Sequence, residues 1–334
     1  MASIVTERPR KDTHDDTKTR ARASFLCSQL ILFNSRKKHG LLYSVATAAG
    51  LFCIPGILNV WGSETEIQLL IQRIIPAPFI TLMITVGLFI LNDLVDADLD
   101  KSNLKNRPIP SGRVSKKQAW AFIILTNGAA VGILISTLAI DSIIFVMPMI
   151  IIGILYSIPR KIAFMNRFVI KNIAISLFYM LCTMLGITWS YGIELAINNP
   201  ITTIHTITMS GIMIFVGSTI NDLGDIKGDR AAGRRTIPIV LGSENTVNML
   251  SFLLVSMPAI SWMFYATFVV QHESINALMT PIAVTIVASF ALLRMTVIQK
   301  VFEDMKLMRE QHKKWFPLYI LLQTGMVVGP SLRL

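Results

Sequence analysis

Apolar residues run for the length of a membrane crossing nine times along the chain, at 41–60, 74–91, 118–139, 142–158, 168–192, 202–220, 247–270, 277–298 and 315–329. A helix needs about 20 apolar residues to cross the hydrocarbon core, and the last run is the shortest of the nine. Lipid offers backbone groups no partners, so these runs are expected to be helices. They also lack the alternation of a membrane barrel. The pattern predicts an all-α integral membrane protein of about nine helices.

Polar residues interrupt these runs unevenly. Of the 31 Lys and Arg, 29 fall in five segments: the tail to Lys38, then 101–117, 160–171, 227–235 and 294–314. The intervening loops carry Arg73 and acids such as Glu64, Glu66, Asp141, Glu194 and Glu273. Nine helices put all five basic segments on one face, which the positive-inside rule makes cytosolic. Residues 1–39 then form a cytosolic basic tail, polar enough to be disordered, with an amphipathic stretch at 24–33 at the interface. Residues 40–334 form the membrane domain.

Composition agrees with this reading. Charged residues make up 15% and mean hydropathy is +0.59, against about 25% charged in soluble domains. The net charge of +11 is explained by topology. No basic patch is interleaved with aromatics as single-strand binding requires, so no nucleic-acid partner is expected. Cys27, Cys53 and Cys182 suit neither a disulfide framework nor a zinc site. The five histidines, His14, His39, His205, His272 and His312, lack partners at helical spacing and read as loop or interface residues. A P-loop, a dinucleotide fingerprint and a hydrolase elbow are absent from the sequence.

One pattern occurs twice. "NDLVDADLD" holds Asn92, Asp93, Asp96 and Asp100; "NDLGDIKGD" repeats the spacing with Asn221, Asp222, Asp225 and Asp229. Each follows an apolar run on the basic face and leads into a basic loop, "RPIPSG" in one case and "RTIPIVLG" in the other. Four helices separate them, which suggests two related four-helix halves plus one helix. At helical spacing the aspartates of each motif share a face. Clustered carboxylates repel unless a cation neutralises them, and such charge beside a membrane is functional by default. Oxygen ligands alone select a hard cation, Mg²⁺ first. Basic residues crowded onto the same loops ask for a polyanion, and a diphosphate between two metal clusters satisfies both.

These two motifs, with "NRPIPSG", "YSIPRK" and "GRRTIPIVLG", resemble the UbiA-type intramembrane prenyltransferase superfamily over roughly residues 40–330. The resemblance implies a nine-helix bundle around a central cavity, with motif loops at 92–117 and 221–242 that cap it on the cytosolic side. It implies Mg²⁺ ions held by Asn92, Asp93, Asp96 and Asp100 on one side and Asp222, Asp225 and Asp229 on the other. Asp93, Asp96, Asp222 and Asp225 would be the catalytic set, bridging through metal to an isoprenyl diphosphate of farnesyl or geranylgeranyl class. Arg107, Arg160 and Lys161 would contact phosphate, while Pro108 and Gly112 shape their loop. Phe89, Phe178, Tyr179, Trp189 and Phe215 are positioned to shield an allylic cation.

The chain departs from the family pattern at two places. Many members carry Lys just before the second motif, where Asn221 stands here; many open the first helix with Arg-Pro, where this chain reads "NSRKKHGLL". Two outcomes stay open: transfer of the prenyl group to an aromatic or lipid acceptor, or intramolecular cyclisation of a sesqui- or diterpene as in the family's cyclases. A transporter reading fits poorly, because broken helices at mid-membrane are expected there and these carboxylates lie at helix ends.

Overall fold

The computed structural model describes residues 24–54, 68, 70–102, 107–137, 139–157, 168–231, 233–272 and 278–331. Twelve α-helices run through them: α1 Phe25–Phe52, α2 Pro76–Val95, α3 Ala97–Ser102, α4 Lys116–Ser136, α5 Ile143–Ser157, α6 Ile170–Asn198, α7 Pro200–Ala231, α8 Ile237–Leu241, α9 Ser243–His272, α10 Met279–Val301, α11 Met305–Lys313 and α12 Phe316–Ser331. No strand occurs among the described residues.

Each of the nine apolar windows overlaps a helix, with residues 55–60 of the first window lying outside the described residues. Six helices, α2, α4, α6, α7, α9 and α10, are long and apolar enough to cross a membrane by themselves. Of the other three expected spans, α5 and α12 are shorter, and the first, 41–60, lies within the described residues only as far as 54, at the end of α1 beyond Arg36, Lys37, Lys38 and His39. The expected interfacial stretch at 24–33 is not a separate element. Ser24 caps α1 by accepting from the Cys27 N–H, and one helix runs on through the expected boundary at 39/40.

Packing is serial in each half. α1 lies against α2, α6 and α12; α5 bridges α2 and α6; α6 packs on α7, α7 on α9, α9 on α10 and α10 on α12. The α1–α6 crossing is closest at Gly50 and Gly186, where an added Cβ would run into the carbonyl oxygens of Thr183 and Thr47 respectively. Small residues that let backbones touch are how membrane helices associate without a hydrophobic drive. Outward-facing Ile124, Leu125, Phe252, Phe290 and Leu293 are exposed, as a lipid-facing surface requires.

The motifs end up at the ends of α2 and α7. The second lies entirely within α7, whereas the first bends at Asp96, which caps α2 before α3 resumes. The connection after α3 turns at Arg107–Ser115. Gly112 has φ +72°, the region only glycine enters freely. Ser115 and Gln118 then form a capping box that starts α4.

Candidate active site

Asp93 and Asp100 are buried, seven residues apart, and meet the same cation. Arg107 donates from Nη1 to Asp93 Oδ1 at 2.7 Å and also to Asp100 Oδ2. The RPIPSG turn holds Arg107 in place through Ser111 N–H to the Arg107 carbonyl at 3.1 Å. Arg36, from the middle of α1, forks onto Asp93: Nε reaches Oδ2 at 2.7 Å and Nη2 reaches Oδ1. Such bidentate pairs fix geometry as well as charge.

The second motif repeats the arrangement with different partners. Asp222 and Asp229, again seven apart, are buried, and Asp225 between them is half-exposed. Lys171 on α6 pairs with Asp222, and Asn172 Nδ2 donates to the other oxygen at 3.2 Å. Arg309 of α11 donates to Asp225 at 2.8 Å. Arg234 lies between the motifs, 3.1 Å from Asp229 Oδ1 and 3.7 Å from Asp96 Oδ2. Burial alone would push its guanidinium pKa down; Asp229 and Asp96 outweigh it, and the net direction is up.

The two motifs therefore face one site across Arg234. Among the described residues no three His, Cys, Asp or Glu side chains stand together as a ready metal group; the aspartates are turned to basic side chains instead. A cavity of about 90 Å³ opens beside the first motif, lined by Asn92, Phe89, Thr85 and Leu88 of α2, Tyr43 of α1, Tyr156 of α5 and Phe178 of α6, among others. Tyr43 meets Phe178 edge-on at 5.3 Å, and the Arg36 guanidinium lies 5.7 Å from the Phe89 ring centre.

Of the residues expected to contact phosphate, Arg107 is in the site, and Arg160 and Lys161 lie outside the described residues. Of the aromatics, Phe89 and Phe178 line the cavity. Tyr179 is fully buried, its hydroxyl accepting from Gln323 at 3.4 Å. Trp189 donates to the Gln72 carbonyl at 3.3 Å, away from the motifs, and Phe215 packs against the core. Sequence reasoning did not name Arg36, Lys171, Arg234 or Arg309 as partners of the motifs: Arg234 was read only as part of the basic loop after the second motif, and the other three only as face-setting charge. Beside the uncharged Asn221, Lys171 places a cation on Asp222 from the neighbouring helix. Two histidines are corrected as well: His39 stacks on Phe89 at 4.7 Å, and buried His205 bonds Ser261 at 2.8 Å. Each sits within a helix and not in a loop, His39 in α1 and His205 in α7.

The sequence profile described as the UbiA prenyltransferase family matches residues 32–308. The chain belongs to the UbiA prenyltransferase family. A digeranylgeranylglyceryl phosphate synthase of Methanoculleus marisnigri is 29% identical over 203 residues, covering 60% of this chain and 66% of that protein. The chain thus spans just under two thirds of that relative. Among solved structures, a UbiA homologue from Archaeoglobus fulgidus bound to GPP and Mg²⁺ superposes with a TM-score of 0.63 at 17% identity, covering 90% of this chain and 99% of that one. A structure of a digeranylgeranylglyceryl phosphate synthase gives 0.64 at 17%, over 92% and 99%. At that identity the likeness establishes the UbiA fold.

Proposed function

We propose that this UbiA-family chain ionises an isoprenyl diphosphate with Mg²⁺ and transfers the prenyl group to a lipid alcohol. The observation that carries the reading is the meeting of two acidic motifs, each lined with basic side chains, beside an apolar aromatic cavity that Asn92 enters. The lipid acceptor rests on the relatives named above. The cytosolic placement of the motif loops rests on the basic segments.

The residues fit a hard cation. Asp229 Oδ2 is buried without a partner, and the motif ligands are carboxylates with an amide oxygen, the ligand class of Mg²⁺; Asn92 Nδ2, also buried without a partner, is a donor that suits a phosphate oxygen. Asn92, Asp93, Asp96 and Asp100 would hold it on one side, and Asp222, Asp225 and Asp229 on the other. Bound there, Mg²⁺ supplies charge that stabilises the departing diphosphate.

The protein's own groups do the rest. Arg36, Arg107, Lys171, Arg234 and Arg309 donate charge-assisted hydrogen bonds to the phosphate oxygens, with Arg160 and Lys161 as further donors from their loop. This stabilisation grows as the C1–O bond breaks and its electron pair leaves with diphosphate. The allylic end of the tail enters the cavity, where the faces of Tyr43, Phe89 and Phe178 favour positive charge at the allylic carbons and exclude water. A lone pair of the acceptor hydroxyl then bonds C1, and the hydroxyl proton leaves to a base.

Mass spectrometry of products from purified protein, Mg²⁺ and geranylgeranyl diphosphate tests this. A prenyl ether formed only when a prenylglyceryl phosphate is added supports transfer. A cyclic hydrocarbon formed without acceptor overturns transfer and makes the chain a cyclase.

A further inference from the structure

Arg234 belongs to neither acidic motif, yet its side chain reaches both. Its position is set twice over. The backbone N–H of Arg234 donates to the Asp229 carbonyl at 2.9 Å, in a turn made possible by Gly233 at φ +68°. The guanidinium then spans from Asp229 Oδ1 at 3.1 Å to Asp96 Oδ2 at 3.7 Å, and its side chain is 17% exposed. The ion pairs of Arg36 and Arg107 fall on the first motif, and those of Lys171 and Arg309 on the second. The second oxygen of Asp229 is buried without a partner.

We infer that Arg234 is a positioning residue that straps the two half-sites together and competes with the divalent cation for Asp96 and Asp229, so that cation and diphosphate bind jointly. The chemistry is partner exchange. A guanidinium has five donors and no acceptor. It satisfies carboxylate or phosphate equally well in geometry, but it repels a cation placed against the same carboxylate. When a diphosphate arrives, its oxygens take the Arg234 donors, and Asp96 and Asp229 turn to the metal. Each ligand then lowers the cost of binding the other, by the same factor in both directions. This inference rests on the metal–diphosphate reading above.

The test is Mn²⁺ binding to detergent-solubilised full-length protein, followed by electron paramagnetic resonance, with and without inorganic diphosphate. In the wild type, diphosphate should tighten Mn²⁺ binding by about tenfold or more, within the usual range of coupling between sites. Arg234→Gln should bind Mn²⁺ alone several-fold tighter than the wild type and lose most of the coupling. Arg234→Lys, which keeps the charge without the fork, should fall between them, and its elution as the same species in size exclusion shows that folding is intact. Unchanged or weaker binding of Mn²⁺ alone by Arg234→Gln, with coupling retained, overturns the role of Arg234 and leaves the site reading standing. A wild type that binds Mn²⁺ neither alone nor with diphosphate overturns both.

Discussion

Replacing Lys171 with Met should destabilise the protein severely, because it strands a buried carboxylate. Lys171 and Asp222 are 7% and 1% exposed, and their ion pair joins α6 to α7. Removing one partner of such a pair costs about 3–5 kcal/mol, since the remaining charge keeps its desolvation penalty. The Asn172 amide at 3.2 Å stays as a neutral donor, which places the expected loss nearer 3 kcal/mol. At roughly 2 °C per kcal/mol for a chain of this size, the melting temperature in detergent should fall by about 6 °C. Differential scanning fluorimetry reads this directly. The double variant Lys171→Met, Asp222→Leu, which removes both charges, should regain most of the loss while leaving the protein inactive. A melting temperature for Lys171→Met within about 1 °C of the wild type would refute the buried-pair reasoning.

Arg36→Ala, which frees one side of Asp93, should cut diphosphate release by roughly 10²-fold, the scale of losing one preorganised donor; unchanged release would remove Arg36 from the site. Gly186→Val should overpack the α1–α6 crossing at Thr47 and cost about 1–3 kcal/mol, seen as a lower melting temperature with unaltered cofactor dependence. EDTA should abolish turnover, and added Mg²⁺ should restore it; activity persisting in EDTA would refute metal dependence. His312 lies on α11, where burial pushes its pKa down, only partly offset by Asp225 and Asp222. The unfolded chain then holds the extra proton below about pH 6.5, so stability should fall as pH drops through that value. His312→Gln should flatten the slope, and an unchanged slope would assign it elsewhere.

The helices and both motifs were readable because their signals are local. A run of about 20 apolar residues implies a span, and an i, i+3, i+7 repeat of aspartates survives in the fold as buried outer positions and a more open middle one. The partners of those aspartates were not readable. Arg36 lies 57 residues from Asp93 and Arg309 lies 84 from Asp225, so nothing in their own neighbourhoods marks them. Lys171 was hidden differently: as one charge in a basic segment, it served the topology argument and asked for no second role. The bend at Asp96 and the unbroken α1 also depend on packing between helices, which periodicity along one segment does not encode. The "NSRKKHGLL" stretch, unlike the family pattern as sequence, proves to place Arg36 on the first motif and His39 against Phe89.

The central claim is that the two acidic motifs act together on one diphosphate. Its most direct test is release of diphosphate from geranylgeranyl diphosphate by the wild type, Asp93→Ala and Asp222→Ala, with acceptor and Mg²⁺ present. Release by the wild type, and loss of at least about 10²-fold in both variants, is the predicted result. Full release by either variant would contradict it.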